Sequence, residues 1–306
     1  MRFKDVHDQL WLCDCREGLK RLADKIVDLT VTSCPWDNIF KYGGNHNWSW
    51  AVFVEVAKEL YRVTKDGGIV CWDIADGIED GVCSGTTERM VCYFMDLGFS
   101  KYEKLVIHNH MRPTSTNRRH GLPPEEVFVF SKGSPATVNR RTKPNRPASV
   151  GLKFNNYQRT FDGSPGLSSK SVIKPVGKRG PVWSYHPLCP KCGTEWSGQM
   201  RFTTWPQFDE FSSVRPYYNV QAASYTKAHP ARMSSALVRD LILAYSKEQE
   251  LVLDPFTGSG TTPKCAVLTN RSFLGMEIHK EYYQIAERRV TDALALFLKR
   301  AEEDGK

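Results

Sequence analysis

The segment Leu251-Val252-Leu253-Asp254-Pro255-Phe256-Thr257-Gly258-Ser259-Gly260-Thr261-Thr262 constrains this chain more than any other. A short apolar run suited to a buried strand empties into a glycine-bearing turn, and helical periodicity follows from Thr262 to Leu268. Gly258 and Gly260 can take positive φ and let the backbone approach a ligand, and a helix starting there points unpaired N–H groups at the same spot. A second short strand, Ser272–Met276, leads to Glu277, seventeen residues beyond Gly260, where a carboxylate can accept hydrogen bonds from two ribose hydroxyls. The pattern departs from the dinucleotide fingerprint, because Pro263 stands at the third glycine position and Asp-Pro-Phe precedes the turn. Asp254, Pro255, Phe256, Gly258, Ser259, Gly260 and Glu277 are therefore candidates for a nucleoside pocket on a Rossmann-like sheet, against the alternative of a purely structural turn.

The flanking sequence carries an α/β rhythm in two stretches. Up to about Lys132, strand-like runs at Ile26–Thr32, Gly68–Trp72, Lys104–His108 and Glu126–Phe130 alternate with helical runs at Trp50–Val63 and Glu88–Leu97. After about Tyr225 the rhythm resumes with helices at Ser234–Tyr245 and from Lys280 to about Arg300 around the turn already described. Between them, Gly133–Tyr225 is rich in Gly, Pro, Ser and Asn and has almost no hydrophobic period, so it would struggle to bury a core alone. With 306 residues, and about 100–200 per domain, the chain should form two units or one α/β domain with a large insertion.

Charge is unevenly placed. The chain carries a net +8, while Gly133–Trp205 alone holds twelve basic residues against Asp162 and Glu195. Such a block points to a polyanionic partner, with a merely solvated insertion as the alternative. No run approaches the ~18 apolar residues of a membrane span, and Met1-Arg2-Phe3-Lys4-Asp5 lacks a signal-peptide core, so a cytoplasmic protein with free thiols among its nine cysteines is expected. His186, Cys189 and Cys192 have the spacing of half a zinc knuckle, but no second half is evident and no bound metal is expected.

A second motif supplies chemistry. Asp28-Leu29-Thr30-Val31-Thr32 is an apolar strand that empties into Ser33-Cys34-Pro35-Trp36. Pro35 fixes φ, so the Ser33 hydroxyl and the carbonyls of Cys34 and Pro35 can aim acceptors at one place beside the Trp36 ring. That suits a flat amine whose lone pair is delocalised: two acceptors on its hydrogens bias the nitrogen toward sp³, while the indole stacks on the ring.

These two motifs together resemble the DNA amino-methyltransferases that use S-adenosyl-L-methionine, in the arrangement where a (Ser/Asp/Asn)-Pro-Pro-aromatic motif precedes an Asp-Pro-Phe-x-Gly-Ser-Gly motif. The resemblance covers about residues 1–131 and 223–306. It implies a catalytic half at 1–131, a cofactor-binding half at 223–306, and a target-recognition insertion at 132–222 between them. It further implies an α/β, Rossmann-like methyltransferase sheet with helices on both faces, S-adenosyl-L-methionine as cofactor and double-stranded DNA as partner, at the nucleoid in a prokaryote; a homodimer stays open. Asp14 matches the family's acidic position ahead of the catalytic strand, which implies a contact to the cofactor adenine. His229-Pro230-Ala231-Arg232-Met233 resembles the entry to a cofactor-proximal helix, and Asn117-Arg118 followed by Glu126–Lys132 resembles a late catalytic-half strand. Arg118 and the insertion residues Arg140, Arg141, Lys143 and Arg146 are the expected DNA contacts.

One departure bears on mechanism. Cys34 stands at the family's first proline, which raises thiolate attack on a pyrimidine ring as an alternative; the motif order opposes it, and a backbone carbonyl doing the proline's work is the simpler reading. Ser33 at the first position resembles cytosine-N4 enzymes, with adenine-N6 as the alternative, since Asn38 is associated with those; a non-catalytic DNA-binding relative and an RNA or protein methyltransferase are the rival classes. Trp48 and Trp50 read as core packing, with base contacts as the alternative, and His108 and His110 as a solvated strand end, with DNA contacts as the alternative.

Overall fold

The computed structural model describes residues 6–35, 48–79, 81–107, 125–139, 174–175, 183–184 and 233–304. Their strands are β1 (Gln9–Leu12), β2 (Val27–Ser33), β3 (Thr64–Ile74), β4 (Ile78–Glu79), β5 (Val82–Cys83), β6 (Ser100–Ile107), β7 (Glu125–Ser131), β8 (Lys174–Pro175), β9 (Trp183–Ser184), β10 (Leu251–Asp254) and β11 (Ser272–Glu277). The helices are α1 (Cys15–Lys20), α2 (Trp50–Val63), α3 (Thr86–Asp96), α4 (Ser235–Tyr245), α5 (Thr261–Leu268) and α6 (Lys280–Asp304).

Contacts divide the chain into two units. The first, formed by 1–112, 123–139 and 217–306, contains a seven-stranded sheet in the order β1-β11-β10-β2-β3-β7-β6. Its first five strands run parallel, and β7 is antiparallel to both β3 and β6. The second, formed by 113–122 and 140–216, contributes to the described residues the two-residue pair β8–β9, with Lys174 opposite Ser184 and Pro175 opposite Trp183.

Central strands read as continuous apolar runs because both of their faces are covered. Successive residues serve opposite cores: Trp72, Phe128, Phe130, Leu253 and Met276 pack on one side with α1, α2 and α3, while Cys71, Val127, Val129, Val252 and Phe273 pack on the other with α4, α5 and α6. The result is a mixed sheet with helices on both faces. In α2, Phe53, Val56, Ala57, Leu60 and Val63 make one buried stripe at helical spacing, and the Ser49 hydroxyl caps the helix by accepting from the Val52 N–H at 3.4 Å.

The two ends of the sequence interleave in this sheet. β10 lies beside β2 with Val252 opposite Leu29 and Leu253 opposite Thr30. Side chains stitch the seam: the Leu251 N–H donates to Asp28 Oδ2 at 3.0 Å, Thr32 Oγ1 to Asp254 Oδ1 at 2.7 Å, and Thr262 Oγ1 to the Val31 carbonyl at 3.1 Å. Thus the C-terminal ends of β2, from the first stretch, and of β10 and β11, from the last, open on the same edge, where ligands of parallel α/β sheets bind.

The helix expected over Trp50–Val63 has those bounds, whereas β3 extends well beyond Gly68–Trp72. Periodicity did not indicate β1 or α1, which are four and six residues long. Among the described residues no helix is long and apolar enough to cross a membrane, and no disulfide joins the described cysteines.

Candidate active site

A cavity of about 200 Å3 lies at the C-terminal ends of β1, β11, β10 and β2. In sheet order these strands deliver Asp14, Glu277, Asp254 and Ser33 to its lining. Neighbouring strands are ~4.8 Å apart, so the row from Asp14 to Ser33 spans about 14 Å, enough for a nucleoside at one end and a second reactant at the other.

One end of the cavity is built by β11 and the turn after β10. Gly258 takes φ 52° and its N–H donates to Glu277 Oε2 at 2.8 Å, while the His279 N–H donates to Oε1 at 2.8 Å. Each carboxylate oxygen has two acceptor sites, so both keep capacity for a hydroxyl of a vicinal diol. Burial raises the Glu277 pKa, and the two backbone donors oppose that rise. Ile278, His279 and Tyr282 continue the wall beyond it.

The middle is the Asp254 turn. Asp254 is 4% exposed, and burial raises its pKa from 3.8 to about 6 against the hydrogen bonds of Thr32, Thr262 and the Phe256 N–H, with Glu277 adding like-charge repulsion. Pro255, Phe256 and Ser259 also line the cavity. Arg289 of α6 holds the turn from behind, its Nη1 donating to the Ser259 carbonyl at 2.6 Å and to Ser259 Oγ at 2.8 Å. Gly260, with φ 80°, does not line the cavity; a Cβ there would fall 2.8 Å from Ala286 Cα. The absence of a side chain there allows the close approach of α6 to the turn.

At the far end stand Ser33 and Pro35. Cys34 between them is turned inward, 1% exposed, with Sγ 3.8 Å from the Asp73 carbonyl oxygen of β3 and outside the cavity wall. That orientation offers no thiolate to a ligand in the cleft. Trp48 lines this end too, although Trp50 packs against Phe53, Tyr93 and the Arg89 guanidinium as a core residue would.

Asp14 caps α1, its Oδ1 accepting the Arg16 N–H at 2.8 Å, and the Arg16 guanidinium reaches its Oδ2 at 2.7 Å. That guanidinium holds the Asp14 carboxyl below its usual range. Arg16, Arg289, Thr32 and Thr262 went unnoticed in the sequence; only Arg16 had a signal there, two residues after a capping Asp. Trp36, Asn38, Arg118, Arg140, Arg141, Lys143, Arg146, His108, His110, His186, Cys189, Cys192 and the 229–232 segment lie outside the described residues.

Known proteins share this architecture. The PvuII DNA methyltransferase, described as cytosine-N4-specific, matches with a TM-score of 0.56 at 18% identity, over 95% of this chain and 92% of its own. TTHA0409 of Thermus thermophilus, solved in complex with S-adenosyl-L-methionine, matches with a TM-score of 0.53 at 18% identity, over 93% and 95% of the two chains. At these identities the likeness concerns the fold. Sequence relatedness is carried separately: the orphan methyltransferase M.BamHII of Bacillus amyloliquefaciens is 33% identical over 288 residues, spanning 94% of this chain and 96% of that protein. Residues 27–288 match the N6_N4_Mtase family, described as DNA methylase, and this match takes in both the Ser33 loop and the Asp254 turn that meet in the cleft, so the chain belongs to the DNA methylase family.

Proposed function

We propose that this chain transfers a methyl group from S-adenosyl-L-methionine to the exocyclic N4 amine of a cytosine swung out of duplex DNA. The observation that carries the reading is that Ser33, an uncharged residue at the head of the catalytic loop, lines the same cavity as Asp254 and Glu277.

Each residue has a distinct task. The Glu277 carboxylate, already oriented by the Gly258 and His279 N–H groups, accepts from the ribose hydroxyls. Asp254, ionised above about pH 6, presents negative charge to a cationic donor. Held by Asp14, Glu277 and the Asp254 turn, S-adenosyl-L-methionine would supply an electrophilic methyl group, its sulfur keeping the C–S electron pair as the amine nitrogen takes the methyl. Ser33 Oγ and the Pro35 carbonyl accept the hydrogens of the amine and aim its lone pair, and Trp36 stacks on the base, which offsets part of the few kcal/mol that extrusion costs. The amine proton leaves afterwards to solvent or through Ser33. Asp14 is the group for the adenine.

Residues 1–131 and 223–306 serve as the catalytic and cofactor halves. The basic stretch 132–222, with Arg140, Arg141, Lys143 and Arg146, and with Arg118 ahead of it, serves to hold and read DNA in the cytoplasm, at the nucleoid of a prokaryotic host. The decisive experiment incubates unmethylated phage DNA with the protein and S-adenosyl-L-methionine, digests the product to nucleosides and identifies the methylated one by mass. N4-methylcytosine is expected; N6-methyladenine would move the target to the other amine, and 5-methylcytosine would overturn the amine chemistry itself.

A further inference from the structure

Trp48 is not part of either motif, yet its half-buried side chain lines the cavity beside Ser33 and Pro35. Its ring meets Phe256 edge-on, with centroids 5.4 Å apart and planes at 88°. Phe256 in turn meets Trp72 of β3 at 6.1 Å, which places this aromatic chain over the β10, β2 and β3 side of the cavity. Glu277 and Asp14, the candidate groups for the nucleoside, line the cavity from the ends of β11 and β1, the other two strands of the row. Trp48 is also fixed: the residue after it, Ser49, caps α2, and Val52 one turn on lines the same wall. A rigid, flat, apolar surface next to two hydrogen-bond acceptors is the composition of a site for a planar heteroaromatic amine.

We propose that Trp48 is a specificity-determining wall of the acceptor subsite, in contact with the ring of the extruded base and not with the cofactor. The inference rests on the methyl-transfer reading above and names a second aromatic for the base besides Trp36. Contacts of a base with an aromatic side chain are worth roughly 10- to 100-fold in binding.

The test compares Trp48→Ala and Trp48→Phe with the parent protein in two measurements: the Kd for S-adenosyl-L-methionine by calorimetry, and kcat and KM for tritiated methyl transfer to unmethylated phage DNA. The expected result is a cofactor Kd within about threefold of the parent for both variants, a roughly 10- to 100-fold loss in kcat/KM for DNA in Trp48→Ala, and recovery of most of that loss in Trp48→Phe. An unaltered cofactor Kd also certifies that the variant is folded; if Trp48→Ala does not fold, Trp48→Leu takes its place with the same expectation. A cofactor Kd that weakens in step with kcat/KM would assign Trp48 to the donor half and overturn the proposal. So would an unchanged kcat/KM, or a Phe variant as impaired as the Ala variant. Failure of the parent protein to methylate any DNA would instead overturn the functional reading, and this inference with it.

Discussion

Asp254→Asn removes a carboxylate whose burial has a measurable signature. In the folded chain its pKa is about 6, against an ordinary 3.8. A rise of about two units, at 1.36 kcal/mol per unit, corresponds to about 3 kcal/mol. The sign follows from proton binding: between about pH 4 and pH 6 the folded chain holds this proton and the unfolded chain does not, so stability from Asp254 is present below about pH 4 and lost as pH rises through 6. Asn keeps an acceptor for Thr32 Oγ1 and the Phe256 N–H but has nothing to ionise. The stability difference between variant and parent should therefore move by about 3 kcal/mol in the variant's favour from pH 4 to pH 8, or roughly 6–12 °C in Tm for a unit of this size. Parallel calorimetric scans of the two proteins across that range read it directly, since every other titrating group is common to both. Cofactor binding should follow the opposite course, with the parent protein losing affinity below pH 6 and the variant, weak throughout, lacking the Asp254 part of that loss. A Tm difference that stays constant from pH 4 to pH 8 would refute the buried-carboxylate reasoning.

Glu277→Gln keeps the shape of the side chain but replaces one acceptor oxygen with a donor, and losing a hydrogen bond to a charged group costs about 1.5–3 kcal/mol, so the Kd for S-adenosyl-L-methionine should weaken roughly 10- to 150-fold by calorimetry. An affinity within threefold of the parent would remove Glu277 from the ribose site. Cys34→Ala should methylate DNA at a rate within about fivefold of the parent, because the buried Sγ faces the Asp73 carbonyl and the weak bond it makes is worth about 1 kcal/mol or less. A dead variant that still binds cofactor would restore a thiolate mechanism.

How much the sequence disclosed follows from how far each signal reaches. The α2 stripe and the apolar runs of β2, β10 and β11 are local patterns, and they mark those elements to within a residue or two. Strand β6 is harder to read: most of Ser100–Ile107 is exposed and Lys101, Glu103 and Lys104 are charged, so only its C-terminal end shows a hydrophobic pattern. The brief β1 and α1 carry too few residues for any period, although Asp14 as a cap was a usable clue. In the site, Glu277, Asp254 and Ser33 could be picked from motif spacing, but that Gly260 meets Ala286 and that Trp48, packed on the core, also lines the cleft beside Phe256 depend on contacts between segments 26 and more than 200 residues apart. Cys34 shows the same limit, since its residue type invites a nucleophile and only its packing against β3 turns it away.

Co-crystallisation with S-adenosyl-L-homocysteine, the demethylated form of the donor, probes most directly whether one cleft serves both reactants. Ribose hydroxyls are expected within about 3 Å of the Glu277 carboxylate, with the sulfur turned toward Ser33 and Pro35. A nucleoside bound elsewhere, or bound at Glu277 with its sulfur directed away from Ser33, would contradict a cleft shared by both reactants.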